Sequence, residues 1–134
     1  MRLSDKIAIV SGGGSGFGSG IVRKFAKEGA KVIVADIKIE NAKKVARAAG
    51  GVAVEVDVSN SLSFKNLIST TLKKFGKIDI MVNNAGITHT PNKMEDISEE
   101  EFDRIFSVNS KSVFLCAKYL VPLMTSNGCG NILN

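Results

Sequence analysis

The chain has 134 residues, a length that suits one domain burying roughly two-thirds of the surface its unfolded form exposes. An apolar fraction of 44% and a charged fraction of 23% fit a globular domain and exclude a disordered or collagen-like chain. The net charge of +5 is scattered singly over polar helix faces (Lys24, Lys27, Lys43, Lys44, Arg47, Lys73, Lys74) with no interleaved aromatics, which argues against nucleic acid as a partner.

No apolar run approaches the roughly 20 residues needed to cross a bilayer, and Met1 to Lys6 leads into a strand with no signal-peptide pattern. No membrane partner and a cytoplasmic location are therefore expected. Cys116 and Cys129 are too few for a disulfide framework, and with no CxxC pair or His/Cys cluster no metal site is expected. Cys116 lies in an apolar stretch and reads as a small core residue.

In chain order, Lys6 to Ser11 reads as a short buried strand. Glycines follow, then a helix over 16–28 with Ile21, Val22, Phe25 and Ala26 on one face and Gly29 as its cap. Val32 to Ala35 is a second strand, ending at Asp36, and a helix over 39–49 turns Ile39, Ala42, Val45, Ala46 and Ala49 inward. Val52 to Val58 is a third strand. The helix over 61–75 carries Phe64, Leu67, Ile68, Thr71 and Phe75 in one stripe, and Gly76 caps it. Ile78 to Val82 is a fourth strand, ending in Asn83-Asn84-Ala85-Gly86.

A polar loop runs over 87–97. Ser98-Glu99-Glu100-Glu101 has the form of a capping box, opening a helix whose buried face is expected to hold Phe102, Ile105 and Phe106. A separate apolar helix over 112–125 is expected to bend at Pro122, which has no N–H to donate. Gly130 to Asn134 looks like the start of a fifth strand.

Strands alternating with helices require right-handed crossovers and hence a parallel sheet, so the expected fold is α/β, doubly wound and Rossmann-like, with residues 1–134 as one domain. Ligands of such sheets sit at the carboxyl ends of the strands. The turn over 11–18, Asp36, Asp57 and residues 83–86 all fall there.

Ser11-Gly12-Gly13-Gly14-Ser15-Gly16-Phe17-Gly18 joins a strand to a helix. A pyrophosphate needs outward-pointing N–H groups and no Cβ atoms in the way, which glycines before a helix N-terminus supply. Strict GxGxxG spacing is absent, as is the G-K-[ST] ending of a P-loop. Asp36, eighteen residues beyond Gly18, can accept hydrogen bonds from an adenosine ribose and would repel the 2′-phosphate of NADP. No arginine occupies the turn or directly follows Asp36, although Lys38 is close, so NAD is favoured over NADP.

The turn over 11–18, the pair Asp57-Val58 and Asn83-Asn84-Ala85-Gly86 stand in the order and spacing found in short-chain dehydrogenases/reductases. The chain resembles the N-terminal part of that family along its whole length, most of all the 3-oxoacyl-carrier-protein reductase and glucose dehydrogenase-like members. The resemblance implies that Gly12, Gly16 and Gly18 form the pyrophosphate turn, with Ser15 and Phe17 adding backbone contacts. It places Asp36 and Ile37 at the adenosine ribose and Asp57 and Val58 at the adenine. Asn83, Ala85 and Gly86 would brace the fourth strand beside the cofactor. Asn109 matches the family's catalytic asparagine, which helps hold a water in the proton relay; a helix-kink or capping asparagine is the alternative.

The family's chemistry also rests on a serine after the fifth strand and a Tyr-x-x-x-Lys pair beyond it, where lysine lowers the tyrosine pKa. Those positions are expected to lie outside these 134 residues. The only tyrosine, Tyr119, has Leu115 four residues before it and Leu123 four after, and His89, the only histidine, has no evident carboxylate partner. Two readings follow: the cofactor-binding part of an oxidoreductase acting on an alcohol or carbonyl substrate, or a non-catalytic NAD-binding or interaction module. The apolar helix carrying Val113, Phe114, Ala117, Leu120, Val121 and Met124 is expected to lack part of its cover, which suggests a homo-oligomer.

Overall fold

Ile7, Ala8, Ile9 and Val10 are consecutive apolar residues, and a strand can bury all of them only if both faces of its sheet are covered. The computed structural model, which describes residues 1–134, shows that arrangement. β1 (Ile7–Ser11) is buried at every position, and β2 (Lys31–Asp36) at every position after Lys31. Between them runs α1 (Gly16–Lys27), and α2 (Ile39–Ala49) leads on to β3 (Val52–Glu55). α3 (Ser61–Phe75) crosses back to β4 (Ile80–Val82).

After β4 come a turn of 3-10 helix (Met94–Asp96), α4 (Glu99–Phe106), five π-helical residues (Ser107–Lys111), α5 (Ser112–Ser126) and β5 (Asn131–Leu133). The sheet is parallel throughout, in the order β3-β2-β1-β4-β5. The order reverses at β1, where the chain first moves outward on one side and then on the other. The doubly wound α/β reading therefore holds.

Two apolar layers enclose the sheet. One packs Val22 of α1 and Ala42, Val45 and Ala46 of α2 onto Ala8, Val10, Val32 and Val34. The other packs Phe64, Leu67 and Ile68 of α3 and Leu115, Cys116 and Leu120 of α5 onto Ile7, Ile9, Ile33 and Met81. Phe64 is wholly buried, so truncation to alanine would cost about 3–5 kcal/mol. Cys116 is a core residue, as expected, and burial pushes its thiol pKa up.

Four expectations need correction. Val56 and Val58 are buried, yet the β3 ladder ends at Glu55: the Val56 N–H still donates to the Asp36 carbonyl at 3.0 Å, but β2 has no residue beyond Asp36 to continue the pairing. β4 likewise begins at Ile80 rather than Ile78. The two helices expected over 98–125 form one run from Glu99 to Ser126, joined through the π-helical residues and passing Pro122 without ending. Within it Phe102 and Phe106 are 61% and 58% exposed, and Ile105 alone of the three turns partly inward. Periodicity identified residues near one face, but no element of the chain lies over the two phenylalanines.

The Ser98 side chain caps α4 by accepting from the Glu101 N–H at 3.1 Å; the reciprocal bond of a full capping box is not made. No helix is long and apolar enough to cross a membrane.

Candidate functional site

Parallel strands in register deliver their carboxyl ends to one edge. Val10 lies beside Val34 and Val82, and Asp36 beside Glu55. The polar segments after β1, β2, β3 and β4 therefore meet around one cleft of about 600 Å³. Of the residues expected at a site, Gly12, Ser15, Gly16, Phe17, Gly18, Asp36, Ile37, Asp57, Val58, Ala85 and Gly86 line it. Asn83 and Asn109 do not.

The glycine turn needs its glycines for two reasons. Gly12 has φ +63°, a left-handed conformation that L side chains rarely adopt. A Cβ on Gly18 would lie 2.1 Å from the Gly12 carbonyl oxygen, so α1 starts in direct contact with the turn before it. Ser15, the N-cap, makes no side-chain cap bond, and the first turn of α1 carries no acidic residue. The first N–H groups of α1 are thus left without a side-chain acceptor. With the helix dipole they form a positive, glycine-rich cradle suited to an anion.

Ser11 and Asn84 lock this turn to the end of β4. The Ser11 hydroxyl accepts from the N–H groups of Asn84 and Ala85, both at 3.1 Å, and donates to the Val82 carbonyl at 3.2 Å. Asn84 Nδ2 donates to the Ser11 carbonyl at 2.9 Å and to that of Gly12 at 3.3 Å. Two segments more than 70 residues apart are held as one wall.

Asp36 is oriented by backbone donors. Its Oδ2 accepts from Gly14 N–H and its Oδ1 from Lys38 N–H, each at 2.9 Å. Each oxygen keeps acceptor capacity for a hydroxyl in the cleft. Asp57 Oδ1 accepts from Ser59 N–H at 2.9 Å and Ser59 Oγ at 2.6 Å, while Asp57 N–H donates to Ser63 Oγ at 2.9 Å. Both carboxylates are thereby fixed at the wall before any ligand arrives.

Asn109 stands in the π-helical residues, and its carboxamide makes both of its bonds to one residue. Oδ1 accepts from Ile87 N–H at 2.9 Å, and Nδ2 donates to the Ile87 carbonyl at 2.8 Å. The side chain pins the segment after Gly86 against the helix. Asn83 also points elsewhere: Nδ2 donates to Asn134 Oδ1 and its N–H to the Leu133 carbonyl, both at 2.8 Å, tying β4 to the end of β5.

The cleft also takes in Lys38, Asn41, Val56, Asn84, Ile87, Arg104 and Val108, none of which was singled out as a site residue. Asn84 belongs to the Asn-Asn-Ala-Gly motif and was legible there. Arg104 and Val108, four residues apart just before Asn109, carried only helical spacing as a signal.

Tyr119 lies outside the cleft, with its hydroxyl 2.5 Å from Ser61 Oγ. Neither Leu115 nor Leu123 acts on it, but the fold brings Lys65 to 5.0 Å and Lys118 to 5.7 Å from its ring centroid. The Ser61 hydrogen bond, aided by these lysines, lowers its pKa below the ordinary phenol value. His89 is also outside the cleft; its Nδ1 lies 2.8 Å from the Thr90 carbonyl.

A doubly wound sheet with an anion cradle at its first strand-to-helix turn, and a backbone-held carboxylate at the end of its second strand, defines a nucleotide-site architecture. The short chain dehydrogenase family model matches residues 6–134, and the chain belongs to that family. Secoisolariciresinol dehydrogenase of Forsythia intermedia is 39% identical over 99% of this chain and 50% of its own length. The 3-oxoacyl-[acyl-carrier-protein] reductase of Thermotoga maritima is 36% identical over all of this chain and 56% of its own. The crystal structure of 3-ketoacyl-(acyl-carrier-protein) reductase from Brucella melitensis complexed with NADH superposes with a TM-score of 0.91 at 44% identity, covering 94% of this chain and 53% of that one. The chain spans about half the length of the curated relatives it matches.

Proposed function

We propose that residues 1–134 bind NAD and form the cofactor-binding part of an oxidoreductase acting on an alcohol or carbonyl substrate. When bound, the nicotinamide accepts or delivers the hydride. The observation that carries the reading is the pairing of two features in one cleft: the uncapped start of α1 and the buried Asp36. Gly12, Ser15, Gly16, Phe17 and Gly18 hold the diphosphate, its negative charge meeting the helix dipole. Asp36 accepts from the adenosine ribose hydroxyls with Ile37 beside it, and Asp57 and Val58 hold the adenine edge. Ala85 and Gly86 form the wall beside the nicotinamide ribose.

Asn109 acts through position, holding Ile87 and hence the rim after Gly86. NAD is preferred because a 2′-phosphate would meet a carboxylate whose two oxygens are held in place by Gly14 and Lys38. Titration with NADH and NADPH tests this directly. NADH binds tighter, and Asp36→Ala weakens NADH by about tenfold or more while narrowing the gap to NADPH. Equal affinity for the two cofactors in the unaltered chain would refute the assignment.

One observation favours the second reading, a non-catalytic NAD-binding module, for these residues alone: their single tyrosine lies outside the cleft, bonded to Ser61. NADH binding without turnover by residues 1–134 fits both readings; a longer chain with the same cleft separates them by activity. We also assign a homo-oligomer. Phe102 and Phe106 stack at 5.9 Å between centroids, and Phe114 and Val121 stand exposed further along the same helical run. A second copy of this face is the simplest cover for such a surface.

A further inference from the structure

Arg104 is the basic residue in the last turn of α4. Its side chain makes no hydrogen bond and belongs to none of the four ion pairs of the chain. It nevertheless lines the cleft, one helical turn before Val108, which does the same. Val108 packs against the apolar layer that contains Val58, and both line the cleft, Val58 lying just beyond the end of β3. Across that end lies Ile37, an apolar residue left 63% exposed.

An open slot with apolar walls (Ile37, Val58, Val108) and an unpaired guanidinium at its rim suits a flat aromatic ring. We infer that Arg104 lies over the adenine of the bound dinucleotide and stacks its planar guanidinium on the base. The inference rests on the cofactor reading above and adds a ligand-contact residue to it. Guanidinium is planar and weakly hydrated, so it gains contact with a π face at low desolvation cost. A lysine at this position keeps the charge but not the plane. Attraction of the cofactor's diphosphate by charge alone is screened by salt, whereas stacking is not.

The test compares the unaltered chain with Arg104→Ala and Arg104→Lys, titrated with NADH and separately with AMP, at low and high salt. Arg104→Ala is expected to lose about three- to tenfold in affinity for both ligands, by the same factor at both salt concentrations. Its melting temperature stays put, because the Arg104 side chain makes no hydrogen bond or ion pair within the chain. Arg104→Lys recovers only a minor part of the loss. Unchanged AMP affinity in Arg104→Ala overturns the inference, as does full recovery in Arg104→Lys or a loss that vanishes in high salt. Failure of the unaltered chain to bind NADH overturns the cofactor reading instead, and this inference with it.

Discussion

Gly18 and Gly20 lie two residues apart on α1, and replacing each by alanine should move stability in opposite directions. A Cβ at Gly18 would sit 2.1 Å from the Gly12 carbonyl oxygen and 2.6 Å from Asn84 Nδ2. Neither neighbour is a free chain end: one is backbone, and the other bonds the Ser11 and Gly12 carbonyls. Relief requires roughly 1 Å of backbone displacement where α1 meets the glycine turn, a strain at the upper end of the ~1–3 kcal/mol usual for overpacking. For a domain of this size that lowers the melting temperature by about 10 °C. A Cβ at Gly20 meets nothing within 4 Å, so alanine there contributes its helix propensity of roughly 0.5–1 kcal/mol and raises the melting temperature by about 2–4 °C. Thermal and urea unfolding of both variants, followed by circular dichroism, measures the pair. NADH titration of the folded fraction should show weakened binding only for Gly18→Ala, because only there do the turn's N–H groups move. A Gly18→Ala chain that melts with the unaltered protein would refute the close-contact account of the turn.

Three further outcomes follow from the same structure. Burial opposes ionisation of Asp79, but the Ile7 N–H at 2.8 Å and the Lys77 and Lys6 ammonium groups at 2.9 and 3.8 Å outweigh it, and its pKa lies below the ordinary carboxylate value. A depressed native pKa gives stability that is present above the unfolded pKa of about 4 and lost as pH falls through the native value. Urea melts taken between pH 7 and pH 2 should therefore show a smaller acid-side loss in Asp79→Asn, with lower stability than the unaltered protein at neutral pH. Asn109→Ala removes both bonds to Ile87, which at about 0.5–1.5 kcal/mol each in a partly solvated place predicts a loss of roughly 1–2 kcal/mol. Hydrogen exchange should show the Ile87 amide losing protection, and unchanged exchange there would remove the positioning role. Phe102→Ser with Phe106→Ser should shift sedimentation toward the monomer without lowering the melting temperature of the monomeric chain, since both rings are exposed within it.

Much of the site could be read from the chain because its signals are local. The glycine turn, Asp36, Asp57 and the Asn-Asn-Ala-Gly segment each follow a run of buried apolar residues, and parallel strands must bring such ends to one edge. Asn109 was legible as a position, but its bonding to Ile87 was not, because that pairing joins residues 22 apart across a loop.

What the amino-acid order determined by itself was the alternation of buried strands and amphipathic helices, and with it the parallel sheet, its winding and the edge that carries the cleft. Apolar periodicity and glycine placement are properties of short segments, and right-handed crossovers leave few ways to assemble them. Only the tertiary structure decided what each helix faces. Phe102 and Phe106 are exposed because nothing in the chain lies over them, and α4 and α5 run on as one helix through the π-helical residues that place Asn109 beside Ile87. Lys65 reaches Tyr119 from a different helix, and Arg104 reaches the cleft because α4 follows β4 back over the sheet. Periodicity specifies which side chains share a face; packing between segments distant in sequence specifies what that face meets.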